Sequence, residues 1–258
     1  MSLLGGEKRL LRTSKTDMEM DVTAKMGSKH PQLPLNIKIR EEYTFANYVP
    51  DNNSAVVDSL KNQLSNKDGS YIYLWGKAGV GLSHLLQAAC QEATEKGGSA
   101  IYLPMQELIN LDPNILKGMD ELDLVCIDDI ELIGNNKPWQ EAMFFLFNRL
   151  QQNNGALLVA ANAIPQQVGI KLQDLVSRLA SGVIYQVQAL SEEGKRVLLQ
   201  RRAKDSGLEL ADEATQYILN RAERGVPRLL EILAVLDEVS LASHRKLTIP
   251  FIKETMDW

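Results

Sequence analysis

A glycine-rich octapeptide, GKAGVGLS at residues 76–83, constrains this chain more than any other feature of its sequence. It lies between an apolar run, YIYLW, and a stretch with helical periodicity, which is the setting of a phosphate-binding loop. Glycines let the backbone curl until successive N–H groups point at one anion, and the helix N-terminus adds its dipole. A plain glycine-rich turn is the alternative interpretation. The predicted phosphate-binding residues are Gly76, Lys77, Ala78, Gly79, Val80, Gly81, Leu82 and Ser83.

Position 82 departs from the usual form of such a loop, because a lysine is expected directly before the hydroxyl residue. Leu82 stands there, and Lys77 occupies a loop position that normally points outward. The expected lysine bridges the β- and γ-phosphates in proteins that hydrolyse ATP. A charge-assisted hydrogen bond is worth about 1.5–3 kcal/mol. The sequence therefore predicts that a nucleoside diphosphate binds better than its triphosphate.

The order of apolar and helical segments predicts two architectures in succession. Short apolar runs at 71–75, 100–103, 124–127, 156–160 and 183–187 alternate with helical patterns at 82–96 and 138–152, which is typical of a parallel α/β sheet. After residue 190 only helical patterns follow, at 191–205, 212–224, 227–243 and from about 250, with Ser191 and Asp212 as predicted N-caps. We expect a polar tail over 1–40 without a fold of its own, an α/β domain over 41–190 and a small all-helical domain over 191–258.

Composition excludes several classes of protein. The net charge of −5 argues against a protein that coats DNA, because such affinity depends on basic side chains that neutralise phosphates. No apolar run approaches the roughly 18 residues of a membrane span, and the N-terminus lacks the apolar core of a secretory signal. The two cysteines lie in apolar stretches and are expected to be reduced, and the three histidines show no metal-ligand spacing. We expect a cytoplasmic protein.

Two carboxylates follow the apolar run at 124–127. Asp128 ends a segment that we expect to be a buried strand, and the carboxyl ends of such strands are where α/β sheets bind ligands. Asp128 is predicted to hold Mg²⁺ together with the Ser83 hydroxyl, and Asp129 to orient a water molecule. An ordinary polar strand end is the alternative, and the phosphate-binding loop about 45 residues upstream favours the functional interpretation.

Three further residues are weak signals individually. Asn162 ends the fourth predicted strand, where an amide can sense a γ-phosphate, although a turn asparagine is the simpler interpretation. Arg178 lies just before the fifth predicted strand, and Arg228 begins a helix of the second domain. Each arginine alone would normally be a solvated surface residue. The order of the three along the chain gives them weight.

The residues from Tyr43 to the C-terminus resemble the AAA+ module of the DnaA family of bacterial replication initiators. The segment Tyr43–Val49 is similar to that family's segment beside the nucleotide base, and Asp128-Asp129-Ile130 to its Walker B motif. Ser177-Arg178 is similar to its arginine-finger motif, and 226–231 (VPRLLE) to its sensor II helix. The resemblance implies an AAA+ P-loop fold with a helical lid, and adds Val49, His84 and Arg228 to the nucleotide-binding residues. Should substitution of Arg178 leave the activity unchanged, Arg149 or Arg228 is next in line as the finger.

The similarity is greater still to the short, Hda-type members of this family, in the segments at 71–75, 83–86, 124–128 and 245–251. The chain stops at Trp258, at the end of the predicted lid, so that sequence-specific DNA binding is not expected. In the tail, a four-residue segment is similar to the motif that binds the sliding clamp, although chance matches to so short a motif are common. Its residues are Gln32, Leu33, Pro34 and Leu35.

The resemblance implies a regulator of replication initiation that binds a nucleoside diphosphate, with ADP the expected case and Mg²⁺ as a companion ion. It further implies that the tail binds the DNA-loaded sliding clamp and that Arg178 promotes hydrolysis of ATP held by DnaA. A homo-oligomer is compatible with the family. Two alternatives stay open: an autonomous ATPase of the helicase-loader type, and an adaptor that uses the fold without any nucleotide.

Overall fold

The structure is a computed structural model, and it describes residues 40–65, 69–222, 225–243 and 245–258. The predicted clamp-binding residues, Gln32 to Leu35, lie outside the described residues. Among the helices of the described ranges, none is long and apolar enough to cross a membrane.

Five short apolar segments pair as parallel strands in one sheet, as the sequence predicts. They are β1 (Tyr71–Trp75), β2 (Ala100–Pro104), β3 (Leu124–Asp128), β4 (Ala156–Ala161) and β5 (Val183–Gln186). Their order across the sheet is β2-β3-β4-β1-β5, so that β4 lies between β1 and β3. This order sets the segments that follow β1, β4 and β3 side by side along one edge of the sheet.

Helices cover both faces of this sheet. They are α1 (Ser54–Ser65), α2 (Leu82–Glu95), α3 (Met105–Leu108), α4 (Lys137–Gln152) and α5 (Gln173–Leu179), with 3-10 helices at Asp51–Asn53, Pro113–Leu116, Met119–Glu121 and Ile130–Asn135. The sequence analysis predicted α2 and α4 but missed α1, α3 and α5.

Successive strand residues point to opposite faces, and each face buries its own apolar cluster. Tyr71 and Tyr73 belong to the cluster that packs under α4, while Ile72 and Leu74 belong to the cluster that packs under α1 and α2. Cys90 and Cys126 lie in the second cluster, and both are buried and free of any disulfide, as predicted. The inner strands β1, β3 and β4 are therefore buried and largely apolar because both faces of the sheet are covered there.

The C-terminal part of the chain is a helical lid with an apolar core of its own. Its helices are α6 (Glu192–Asp205), α7 (Asp212–Arg221), α8 (Val226–Ser243) and α9 (Ile249–Met256). Ser191 caps α6 as predicted, since its hydroxyl accepts a hydrogen bond from the Gly194 N–H at 3.0 Å. The predicted Asp212 cap is wrong: Ala211 precedes α7, and the Asp212 carboxylate instead accepts from Arg196 on α6 at 2.9 Å.

Two side chains that follow the Tyr43–Val49 segment hold the linker between the sheet and the lid. Asp51 accepts from the Ser191 N–H at 2.6 Å, and its carboxylate fills the space that a side chain at Gly194 would need. Asn53 exchanges two hydrogen bonds with the backbone of Gln188, at 2.7 and 3.0 Å. The lid is therefore fixed to the segment that leads into α1.

Candidate nucleotide-binding site

The phosphate-binding loop runs from the end of β1 into α2, in the setting that the sequence predicts. Gly79 and Gly81 have φ values of 80° and 97°, in the left-handed region that favours glycine. A Cβ at Gly79 would also lie only 2.8 Å from Cδ of Pro227 in the lid. Within the described ranges, the N–H groups of Ala78, Gly79 and Gly81 donate to no backbone carbonyl. The loop therefore offers free donors to an anion at the N-terminus of a long helix.

Leu82 is the first residue of α2 and carries no charge toward this loop. Its half-buried side chain packs with Val80 against the apolar cluster under α1 and α2. Lys77 is exposed in the loop. The contact that a lysine at position 82 would make with the terminal phosphate thus has no replacement on α2.

Asp128 ends β3 at the same edge of the sheet and is almost fully buried, with 2% of its surface exposed. Its carboxylate accepts a hydrogen bond of 2.6 Å from the Tyr102 hydroxyl and one of 3.1 Å from the Asp129 N–H. Burial, together with the charge of Asp128, raises the pKa of Tyr102 far above its usual value. Tyr102 therefore stays protonated and orients the carboxylate.

The two predicted magnesium ligands meet through the same tyrosine. The side chains of Ser83 and Gln87 on α2 also interact with the Tyr102 hydroxyl, so that Ser83 and Asp128 share this tyrosine as a neighbour. No cluster of three acidic, histidine or cysteine side chains suited to a metal occurs among the described residues. Ser83 and Asp128 therefore fit Mg²⁺ only as an ion that keeps water and phosphate oxygens as further ligands.

Asp129, Glu131 and Asn162 also lie at this edge of the sheet. Asp129 follows Asp128 with a φ of 54°, and burial and the Asp128 charge raise its pKa. Glu131 lies next to the backbone of Asn162, and burial raises its pKa as well. Asn162 is exposed directly after β4, between the phosphate-binding loop and Asp128. Its position is the one from which an amide can contact a terminal phosphate.

Aromatic side chains line the other side of the loop. His84 stacks on Tyr43 with ring centroids 4.6 Å apart, and its Nε2 lies 2.8 Å from the Thr44 carbonyl oxygen. Tyr48 packs edge-on against His84 and would touch a Cβ at Gly81 at 3.0 Å. Val49, the last residue of this segment, is buried. The His84 side chain thus holds the Tyr43–Val49 segment against the first turn of α2.

The lid closes the site through the start of α8. Pro227 lies against Gly79, which brings the next residue, Arg228, to the border of the phosphate-binding loop. The Arg228 guanidinium pairs with Glu231 at 3.1 Å and is 49% exposed. A surface pair of this kind is weak, so that Arg228 can exchange Glu231 for a phosphate.

Arg178 lies apart from these residues, near the opposite edge of the sheet. It is exposed on the last turn of α5 and makes no ion pair with any described residue. The end of α5 is held against the start of β1, because the Tyr71 hydroxyl donates to the Leu179 carbonyl at 3.1 Å. A side chain at Gly182 would overlap the Tyr71 ring, so the turn into β5 requires glycine.

Sequence reasoning missed Tyr102 and Glu131. Tyr102 lies in an apolar run on β2, and only the pairing of β2 with β3 places it beside Asp128. Glu131 is the third acidic residue of the DDIE segment, and its closeness to Asp128 in the sequence could have marked it as a candidate site residue.

Comparison with known proteins assigns the family. The family model described as bacterial DnaA ATPase domain matches residues 39–186, which is more than half of the chain. The chain belongs to the DnaA family. A second model, described as the lid domain of Hda, matches residues 192–256. The two matches identify a DnaA-related replication regulator with a nucleotide-binding domain and an Hda-type lid.

Solved structures of DnaA and of other AAA+ proteins share this fold. Domain III of DnaA from Thermotoga maritima superposes with a TM-score of 0.74 at 18% identity, over 85% of this chain and 97% of that one. AMPPCP-bound DnaA from Aquifex aeolicus superposes with a TM-score of 0.65 at 24% identity, over 78% of this chain and 67% of that one. The RuvB Holliday junction branch migration motor of Thermotoga maritima superposes with a TM-score of 0.59 at 16% identity, over 78% of this chain and 68% of that one. The predicted AAA+ fold, with its five-stranded sheet and helical lid, is confirmed.

The loop geometry leads to a prediction about nucleotide preference. Because Leu82 replaces the lysine while the backbone donors are intact, ADP should bind more tightly than ATP. Leu82→Lys should shift this preference toward ATP by about 10- to 100-fold, the equivalent of one charge-assisted hydrogen bond. Calorimetric titration of both nucleotides into both proteins measures the ratio.

Thermal melting without nucleotide is the control, because lysine at position 82 must leave the apolar cluster to reach a phosphate. Tenfold tighter binding of ATP than of ADP by the unaltered chain would contradict the prediction.

Proposed function

We propose that this DnaA-family chain binds a nucleoside diphosphate, docks on the sliding clamp through its N-terminal tail, and promotes hydrolysis of ATP held by DnaA. The observation that supports this proposal most directly is the position of Arg178. An exposed guanidinium without an ion-pair partner among the described residues, fixed on a rigid turn, suits an arginine that acts on a nucleotide held by another protein.

Distance separates Arg178 from the chain's own nucleotide site. Arg178 lies beside the start of β1, through the contact of Tyr71 with Leu179, whereas the phosphate-binding loop begins after the end of β1. The five residues of β1 span about 16 Å. An arginine side chain does not bridge that length to reach phosphates at Gly79 and Gly81. Any phosphate that Arg178 contacts therefore belongs to a partner.

The surroundings of Arg178 support docking against a protein. β5 is an edge strand, and Val183 and Ile184 near Arg178 are 52% and 37% exposed. Apolar side chains around a charge exclude water when a partner covers them, and a drier site strengthens the attraction between guanidinium and phosphate. In phosphoryl transfer, an arginine supplied across an interface stabilises the charge of the transition state.

The chain's own nucleotide then has a structural role. Pro227 of the lid packs beside Gly79, and Tyr48 packs beside Gly81. A diphosphate bound at the loop would therefore lie next to both of these side chains. A ligand that binds only the folded protein stabilises it. Bound diphosphate thus keeps the lid and the sheet in one arrangement while Arg178 acts elsewhere.

An autonomous ATPase of the helicase-loader type is the second candidate, and the DDIE carboxylates with Asn162 favour it. Steady-state ATP turnover by the purified chain separates the two. Our proposal expects negligible turnover by the chain alone and co-purification of a nucleoside diphosphate. Turnover that is independent of DnaA would support the ATPase, and absence of any bound nucleotide after gentle purification would support a pure adaptor.

A triple substitution tests the proposed clamp contact. Replacing Gln32, Leu33 and Leu35 by alanine should abolish binding to the clamp, because a short peptide motif depends on its glutamine anchor and apolar side chains. The melting temperature should stay unchanged if these residues lie outside the folded core. Surface plasmon resonance on immobilised clamp measures the binding.

A variant in which the same four residues are kept but their order is scrambled is the matched control, and it should also lose binding. A melting shift of several degrees would mean that the segment is structural.

A further inference from the structure

Asp51 begins the 3-10 helix before α1 and has a backbone conformation that most residues avoid. Its φ is 44°, in the left-handed region, where glycine fits without steric cost and a residue with a side chain is strained. Such a conformation persists only where surrounding contacts hold it, and it often marks a functional position. The contacts of the Asp51 carboxylate therefore indicate what this strained conformation serves.

Both carboxylate oxygens of Asp51 contact the first turn of the lid. One oxygen accepts a hydrogen bond of 2.6 Å from the Ser191 N–H, and the other accepts one of 3.2 Å from the Ser191 hydroxyl. A Cβ at Gly194 would lie 2.7 Å from the carboxylate, so α6 approaches Asp51 this closely only with glycine at that position. A single side chain of the α/β domain thus holds the start of the lid through charge-assisted hydrogen bonds, which are the stronger kind.

The segment that contains Asp51 also reaches the phosphate-binding loop. Tyr48, three residues before Asp51, is buried, and its ring packs beside Gly81 of the loop. Between the two, Pro50 has a φ of −66°, which the proline ring fixes. Asp51 therefore cannot shift far without moving Tyr48, and the position of Tyr48 depends on the loop.

The core of the lid connects the start of α6 with the residues that cover the loop. Leu199 on α6 and Leu229 on α8 belong to the same buried cluster, so that the two helices move together. Pro227, the second residue of α8, lies beside Gly79 of the loop. The lid therefore meets the loop directly through Pro227 and a second time through Asp51 and the segment before it.

We infer that Asp51 is a positioning residue that holds the lid closed over the phosphate-binding loop and so sets how tightly the chain retains its nucleotide. The inference rests on the proposed binding of a nucleoside diphosphate. With the carboxylate in place, Pro227 and Arg228 stay beside the phosphates. Without it, the lid pivots at the linker, where Asn53 still holds the backbone of Gln188. Only molecules with a closed lid then bind nucleotide in full, and the apparent affinity falls by the closed fraction.

Two substitutions of Asp51 and a control in the lid test this inference by calorimetric titration of ADP. Asp51→Gly relieves the backbone strain and removes the carboxylate, so the folded chain should bind ADP about tenfold more weakly. Asp51→Asn keeps an oxygen for the Ser191 N–H and an amide for the Ser191 hydroxyl, so the loss should stay below about threefold. Asp212→Ala removes an acidic side chain whose partner, Arg196, is also in the lid, and it should leave the affinity unchanged.

Spin labels report the position of the lid without any nucleotide. Lys137→Cys on α4 and Arg201→Cys on α6 provide exposed labelling sites in the two domains. The natural cysteines, Cys90 and Cys126, are buried and should stay unlabelled. Double electron–electron resonance should give one narrow distance distribution in the labelled chain. Addition of Asp51→Gly should broaden this distribution, and saturating ADP should narrow it again.

Equal ADP affinity in Asp51→Gly and the unaltered chain would overturn this inference and leave the proposed function intact, and so would identical distance distributions. A lower melting temperature of Asp51→Gly with full ADP affinity would make Asp51 a structural residue, which also overturns the inference. Absence of ADP binding by the unaltered chain would instead overturn the proposed function. The distances measured without nucleotide would still decide whether Asp51 holds the lid.

Discussion

Arg178→Ala should reduce the stimulated hydrolysis of DnaA-bound ATP by about 10³- to 10⁵-fold, the range of an arginine supplied across an interface. The loss should be confined to catalysis, because the side chain is exposed and forms no ion pair with a described residue. Nucleotide binding, clamp binding and melting temperature should therefore stay unchanged. The assay combines clamp-loaded DNA, DnaA-ATP and the variant, and follows release of phosphate.

Arg149→Ala is the matched control, since Arg149 is half-exposed and already pairs with Asp120 at 3.5 Å. It should retain full stimulation. Arg178→Lys should restore little activity, because lysine lacks the planar fork that grips two phosphate oxygens. Equal rates for Arg178→Ala and the unaltered chain would contradict the proposal, and a defect that disappears at high protein concentration would assign Arg178 to docking.

Trp139→Ala is expected to lower the free energy of unfolding by about 3–5 kcal/mol, the usual cost of emptying a buried aromatic site. Trp139 is fully buried on the first turn of α4, and its Nε1–H donates to the Ile109 carbonyl at 3.2 Å. Alanine would leave a cavity under the sheet and that carbonyl without its donor. Urea unfolding followed by circular dichroism measures the change.

Trp139→Phe separates the two contributions, because it keeps most of the apolar volume and removes only the hydrogen bond. It should cost less than half as much as alanine. A cost below about 1 kcal/mol for Trp139→Ala, within the range of surface substitutions, would contradict the packing described for α4.

The sequence was sufficient to predict the parts of the site that are local in the chain. The loop from Gly76 to Ser83 includes the glycines that its turns require, and it lies between a strand and a helix. Its conformation therefore depends on residues that are close together in the sequence. Asp128 follows an apolar run that matches β3. All five strands were predicted to within one residue at each end, because each is a short, mainly apolar run, and β1, β3 and β4 are buried on both faces.

Contacts between distant segments were not predictable in this way. Tyr102 meets Asp128 only because β2 pairs with β3, and Gly79 meets Pro227 only because the lid folds back. No pattern within either segment encodes such an approach. Helix α5 was missed because its seven residues give just under two helical turns of periodicity.

Arg178 shows what a resemblance adds to residue-level reasoning. Alone, an arginine before a strand is a solvated side chain, and only similarity to the DnaA family marked Ser177-Arg178 as an arginine-finger motif. The structure adds the physical content: α5 ends at the side of the sheet far from the phosphate-binding loop, and Tyr71 holds it there.

The central claim is that this chain promotes hydrolysis of a nucleotide that another protein holds. A single-turnover experiment tests it most directly: DnaA is loaded with ATP labelled at the γ-phosphate, and the chain is loaded with unlabelled ADP, before mixing on clamp-bound DNA. We predict rapid release of labelled phosphate that requires Arg178 and follows the amount of DnaA. Release of label when ATP is loaded on the chain alone, at the same rate with or without DnaA, would contradict the claim.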